Sequence, residues 1–312
     1  MKHLSKLTIL TLLSLLAPLL QCITAGDPER KLADIPESSG FSDWAEVFRS
    51  PARIRDFRVF HTGEVEVPVQ GMLNRELNED ESSTMFVDVY AFWFCHDEHG
   101  CFMIDSGLDT SFGEGKPGNV HGLMADSYII SSRQKPGTDI LSYLSQKDRK
   151  SRLQGIFFTH LHGDHSSGIP AISSTSGLED LNYYVAEDEP YVNYWLLYQG
   201  DHLENVSELN ELSMTNAMDM PILGPCLDVF GDGSLWAIQT SGHSPRHLSY
   251  LLMTSEGPVL LTGDASHTRE GFEQGIEPGW VSDRDEAKNS LEKLKAFSNK
   301  YPNVRVIFGH QR

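Results

Sequence analysis

Six neighbouring positions concentrate most of the chemistry in this chain: His160-Leu161-His162-Gly163-Asp164-His165. Imidazole nitrogen and carboxylate oxygen both suit a divalent ion such as Zn²⁺, and a run without cysteine excludes a thiolate structural site. His160 and His162, two apart at the end of an apolar stretch, point to the same side. The turn after them carries Asp164 and His165 to a different angle. One ion cannot easily use all four donors, so two adjacent ions are the natural reading. Two ions with open positions need more ligands, including one that bridges. His243 in Ser241-Gly242-His243-Ser244-Pro245, Asp264 in Leu261-Thr262-Gly263-Asp264 and His310 in Phe308-Gly309-His310 are the candidates. A glycine before each lets the backbone turn tightly. The isolated histidines His61, His96, His99, His121 and His202 read as structural or solvated.

Each candidate needs a strand to deliver it. Apolar residues 153–159 run into His160, and residues 235–240 lead to His243. A hairpin of residues 248–253 and 258–262 ends at Asp264, and residues 304–308 end at His310. In a mixed α/β fold, site residues collect at one end of the strands, where loops bring them together. Residues 58–61 and 64–67 are β-rich. Residues 85–105 predict a hairpin whose Cys95 and Cys101 either pair as a disulfide or stay as two small buried thiols. Residues 108–134 are Gly-rich and irregular, a candidate loop over a site. A helix over 138–146 takes Thr138 as its N-cap. The aromatic stretch 190–203, with Tyr191, Tyr194, Trp195 and Tyr198, reads as a packing helix. Residues 206–226 define no clear element. Residues 285–300 form an amphipathic helix, with Ala287, Leu291, Leu294 and Phe297 on one face.

The order HxHxDH, then His, Asp and His, each at a strand end, resembles the metallo-β-lactamase-fold hydrolases from about Val59 to His310. The resemblance implies an α/β chain folded as a four-layer αβ/βα sandwich around two zinc ions. It implies that one ion takes His160, His162 and His243, the other Asp164, His165 and His310, with Asp264 bridging. Within that superfamily, Thr240-Ser241-Gly242-His243-Ser244-Pro245-Arg246-His247 and Asp264-Ala265-Ser266 are similar to segments of the N-acyl homoserine lactonases, the quorum-quenching enzymes. The expected substrate is then a small acyl lactone whose ring is hydrolysed. Asp164 would carry the proton to the leaving alkoxide. His267 stands where that family commonly has a Tyr that contacts the substrate oxygen, and would take over as donor to the developing oxyanion. Only Gln311 and Arg312 follow His310, fewer residues than the family usually has, so looser support for His310 is expected. Rivals are another exported hydrolase of this fold acting on aryl esters or organophosphates, an iron-dependent persulfide dioxygenase, and a non-catalytic secreted binding protein.

Lysine plus arginine number 25 against 44 acids, a net charge of −19. Such a surface repels phosphate backbones, and no basic cluster offsets it, so nucleic acid is not an expected partner. Hydrophobic residues at 39% exclude a mostly disordered chain. Lys2 and Lys6 precede an apolar run over 7–20, followed by small residues to Gly26. This predicts a signal peptide over 1–25, an extension over 26–50 and a hydrolase domain over 51–312, exported as a secreted or periplasmic protein. Membrane attachment would arise only if Cys22 were lipidated. Asn205-Val206-Ser207 is an acceptor pattern for glycosylation where the host provides it.

Overall fold

The computed structural model describes residues 28–38, 40–113, 118–191 and 200–311. The expected signal peptide, Cys22, Tyr194, Trp195 and Tyr198 lie outside the described residues. No helix among the described residues is long and apolar enough to cross a membrane.

Among the described residues fourteen strands are found, in chain order β1 (Glu29–Leu32), β2 (Ile54–Pro68), β3 (Thr84–His96), β4 (Gly100–Ile104), β5 (Ser131–Arg133), β6 (Leu153–Phe157) and β7 (Asn182–Ala186). Then come β8 (Glu208–Leu212), β9 (Met218–Met220), β10 (Gly224–Asp228), β11 (Leu235–Gln239), β12 (Leu248–Thr254), β13 (Gly257–Leu261) and β14 (Arg305–Ile307). They run β1-β8-β7-β6-β4-β3-β2, with β5 beside β2, and β12-β11-β10-β9, with β13 and β14 on the other side of β12. The two halves meet through one residue pair, Thr254 with Ile54.

Side-chain alternation explains how the halves stack. Successive residues of a strand face opposite sides. On β3, Tyr90, Phe92 and Phe94 enter a central core with Leu248, Tyr250 and Leu252 of β12 and Leu235 and Ala237 of β11. The alternate residues Ala91, Trp93 and Cys95 face outward, where Ile140, Leu144, Ile169 and Ile172 cover them. Those four sit on the short helices α1 (Ile140–Leu144) and α2 (Ile169–Ser173). On the far side, Trp236, Ile238 and Leu251 meet Leu291, Leu294 and Phe297 of α3 (Arg284–Lys300). The order helix, sheet, sheet, helix is the expected four-layer sandwich.

Several local expectations change. Residues 28–50 are no leading tail: β1 pairs in parallel with β8, and the helix Trp44–Arg49 buries Trp44 and Val47 among the residues beneath α3. The N-cap of α1 is Asp139, whose carboxylate accepts from Ser142 N, rather than Thr138. Residues 206–226 hold three strands. Cys95 and Cys101 are a cross-strand pair and form a disulfide, while Cys226 is free and buried.

Candidate metal centre

Strands β4 and β6 are parallel neighbours, and so are β13 and β14. β11 and β13 both run antiparallel to β12, so they share a direction. Their C-terminal ends therefore gather, and the loops beyond them deliver the histidines and aspartates to one place. His160, His162 and His243 present ligand atoms within 4.8 Å of one another, and so do Asp164, His165, Asp264 and His310. Donors that share one ion must lie within a few ångströms of one another, and these two groups are gathered on that scale.

Asp264 stands between the two groups. Its Oδ2 lies 3.2 Å from His310 Nε2, 3.3 Å from His243 Nε2 and 3.8 Å from His160 Nε2. Its Oδ1 lies 3.3 Å from His165 Nε2. The carboxylate fits because residue 309 is glycine: a Cβ there would meet Asp264 Oδ1 at 2.3 Å. Here space, not a left-handed φ, demands glycine, whereas Gly263 does adopt φ of +51°.

Three ligand atoms, His160 Nε2, His165 Nε2 and Asp264 Oδ1, are buried without any hydrogen-bond partner. An unsatisfied buried polar atom costs about 1–3 kcal/mol, so three in one cluster fit a cation-binding site. The charge balance agrees. Burial and the neighbouring imidazoles His165, His162 and His243 hold His160 well below its ordinary pKa. Burial also opposes charge on His165, yet Asp264, Asp105 and Asp164 hold it well above. Asp264 is driven far down, against its burial, by His310, His165, His267 and His243. Five imidazoles with two carboxylates fit zinc.

A second set of groups orients the first, as metal sites require. Asp105 Oδ2 accepts from His165 Nδ1 at 2.8 Å, and Oδ1 accepts from Thr159 N at 2.8 Å. Thr159 Oγ1 donates to Asp105 and accepts from His160 Nδ1 at 3.0 Å. His247 Nε2 accepts from Asp264 N at 2.9 Å, while its Nδ1 meets Thr240 Oγ1 at 2.8 Å. Burial holds His247 down at about 3, so it stays neutral. Glu189 accepts from Ser244 Oγ, Arg246 N and Leu161 N, tying the loop of His243 to that of His160 and His162. Burial pushes its carboxyl up to about 7. Sequence reading did not single out Asp105 or Glu189 for this work. The strand-ending Asp105-Ser106-Gly107 was the one available signal.

All eight expected site residues meet here. Asp164, partly exposed, lies 3.2 Å from His310 Nε2. His310 is held more firmly than the short tail suggested: its Nδ1 donates to Asp88 O at 2.8 Å, its N to His267 O, and its O accepts from Asp88 N. His267 does not stand free to donate to a substrate. Its Nδ1 donates to Met72 O at 3.1 Å and its Nε2 faces Asp264 Oδ2 at 3.1 Å. His202 is buried against Ser166 and Asn119, a structural role, although it also reaches the cavity wall.

The centre opens into a cavity of about 570 Å³. His162, Asp164, His243, Asp264, His267 and His310 form its polar end. Val65, Val67, Met72, Val87, Ile129, Tyr128, Tyr191 and Trp280 form apolar walls.

Comparison with known proteins agrees with this geometry. Residues 84–310 match the metallo-beta-lactamase superfamily. An N-acyl homoserine lactonase, AttM, of Agrobacterium fabrum is 37% identical over 155 residues, 49% of this chain. That alignment spans about half of the relative, 56% of its length. An N-acyl homoserine lactonase of Bacillus cereus is 30% identical over 68% of this chain and 77% of its own. A solved N-acyl homoserine lactone hydrolase, with the product N-hexanoyl-L-homoserine at its catalytic metal centre, superposes with a TM-score of 0.63 at 21% identity. It covers 83% of this chain and 94% of its own. The chain belongs to the metallo-β-lactamase superfamily.

Proposed function

We propose that this protein is a metal-dependent hydrolase that opens the lactone ring of N-acyl homoserine lactones, using two zinc ions. The observation that carries the reading is the convergence of five histidines and two aspartates, three of their ligand atoms otherwise unpartnered, at the polar end of an apolar cavity. The names of the relatives support the substrate class. His160, His162 and His243 would hold one ion, Asp164, His165 and His310 the other, with Asp264 between them. When bound, such a pair lowers the pKa of water towards neutrality and polarises a carbonyl oxygen.

The remaining chemistry belongs to the chain. A lactone head is polar and needs the carboxylate and imidazole end; an acyl tail is apolar and needs Val65, Val67, Met72 and Ile129. Asp264 fixes the spacing of the two ligand groups. Asp164 is the less buried of the two carboxylates and lines the cavity, so it is placed to take a proton and pass it to the alkoxide released when the ring opens. Export is part of the proposal: the Cys95–Cys101 disulfide supports an oxidising compartment, as the apolar run over 7–20 does.

The test is turnover by the zinc-loaded protein on a panel of acyl lactones, phosphotriesters, thioesters and β-lactams, with metal analysis alongside. Two zinc ions per chain and preferred lactone hydrolysis are expected. One iron per chain with oxygen consumption would overturn the proposal.

A further inference from the structure

His267 shares a binding pose with two residues already assigned to the centre. Three histidines surround Asp264 Oδ2 through Nε2: His267 at 3.1 Å, His310 at 3.2 Å and His243 at 3.3 Å. Each of them donates Nδ1–H to a backbone carbonyl: His267 to Met72 O at 3.1 Å, His310 to Asp88 O at 2.8 Å and His243 to Trp280 O at 2.8 Å. A carbonyl only accepts, so Nδ1 carries a proton in each ring and Nε2, beside the carboxylate, is the atom placed to meet a cation. This is how a protein prepares a histidine to coordinate.

The surroundings hold that pose. His267 is only 2% exposed. Its carbonyl accepts from His310 N, so the two residues are locked together. The next residue, Thr268, caps the helix Arg269–Gln274. His243, Asp264 and His267 offer three ligand atoms within 4.8 Å of one another.

We propose that His267 is an additional metal ligand, sharing the ion of His243 and Asp264. The proposal rests on the two-ion reading above. His267 would then join His160, His162, His243 and Asp264 as a donor on that side, and Asp164, His165 and His310 would hold the other ion with fewer protein donors.

The test uses the cobalt-substituted protein, where each ligand imidazole contributes one strongly shifted, exchangeable ring N–H proton signal. His160, His162, His165, His243 and His310 account for five such signals. Wild type is expected to show one more, lost in both His267→Ala and His267→Gln. Chelator competition with zinc should show at least about 100-fold weaker binding in both variants, beyond the 10–100-fold typical of an outer partner. The wild-type signal count stands even if a variant misfolds. Two bound cobalt ions with only five signals would overturn the proposal and leave the two-ion reading intact. A wild-type protein that takes up no metal would overturn that reading, and this inference with it.

Discussion

Asp105→Asn separates the scaffold of the centre from its ligands. Asp105 is 1% exposed and is not among the residues proposed to hold an ion. Its two oxygens accept from His165 Nδ1 at 2.8 Å and from Thr159 N at 2.8 Å. An asparagine has one acceptor oxygen and one NH₂ group. If the oxygen serves Thr159, the NH₂ confronts the Nδ1–H of His165 and drives that ring towards the tautomer whose Nε2 carries the proton. If the amide flips, His165 is served and the Thr159 N–H is left unpaired. Either way one hydrogen bond to a charged acceptor is lost, worth about 1.5–3 kcal/mol. At 1.36 kcal/mol per tenfold, that is an expected loss of about 10- to 150-fold in affinity for the ion that Asp164, His165 and His310 are proposed to hold. Titration with a competing chelator reads this directly, and lactone hydrolysis in saturating zinc reads what remains of the rate. The affinity should fall much more than the saturated rate. Unchanged affinity would refute the orienting role of Asp105.

Asp264→Ala should abolish hydrolysis and lower metal content, because it removes the carboxylate between the two groups; metal analysis with a rate assay checks this. Glu189→Gln should flatten the dependence of stability on pH between about 4.5 and 7. Glu189 holds its proton in the fold up to about 7, against an ordinary 4.5, so its contribution is full below 4.5 and lost as pH rises through 7. Urea melts across that window should slope downward with pH more steeply in wild type than in the variant.

How much of this was legible in the sequence follows from distance along the chain. His160, His162, Asp164 and His165 are contiguous, so spacing alone exposed them. His243, Asp264 and His310 were legible because each follows an apolar strand and a glycine. Asp105 works on residues 54 and 60 positions away, and Glu189 on one 55 away, and no local pattern reports such contacts. The segment before residue 51 read as an extension because its core-packing residues, Ala33, Ile35, Phe41, Trp44, Val47 and Phe48, are spread over loops and one six-residue helix, too short for periodicity to emerge. The helix cap moved by one position because neighbouring Thr138 and Asp139 are both good caps, and the choice between them is made by geometry. The Nδ1 partner of His267 is the carbonyl of Met72, 195 residues earlier, so sequence offered only its position beside Asp264.

The same unpartnered atoms that mark the proposed metal site should also make the fold depend on metal. His160 Nε2, His165 Nε2 and Asp264 Oδ1 reach water in the unfolded chain but are sealed in the folded one. Without cations, folding must bury these atoms and bring Asp264 against Asp164 with only proton uptake to compensate. With cations, the same burial becomes coordination, and ion binding to the native state adds RT ln(1 + [L]/Kd) to stability, about 4.1 kcal/mol per site at a thousandfold excess over Kd. In a domain of this size each kcal/mol moves Tm by about 2–4 °C. Chelation should therefore lower Tm by about 10 °C or more, and added zinc should restore it. In Asp105→Asn, whose second ion is weaker, the same chelator should act at lower concentration. Superposed melting curves for chelated and zinc-loaded wild type would mean that the buried donors are satisfied by something other than metal.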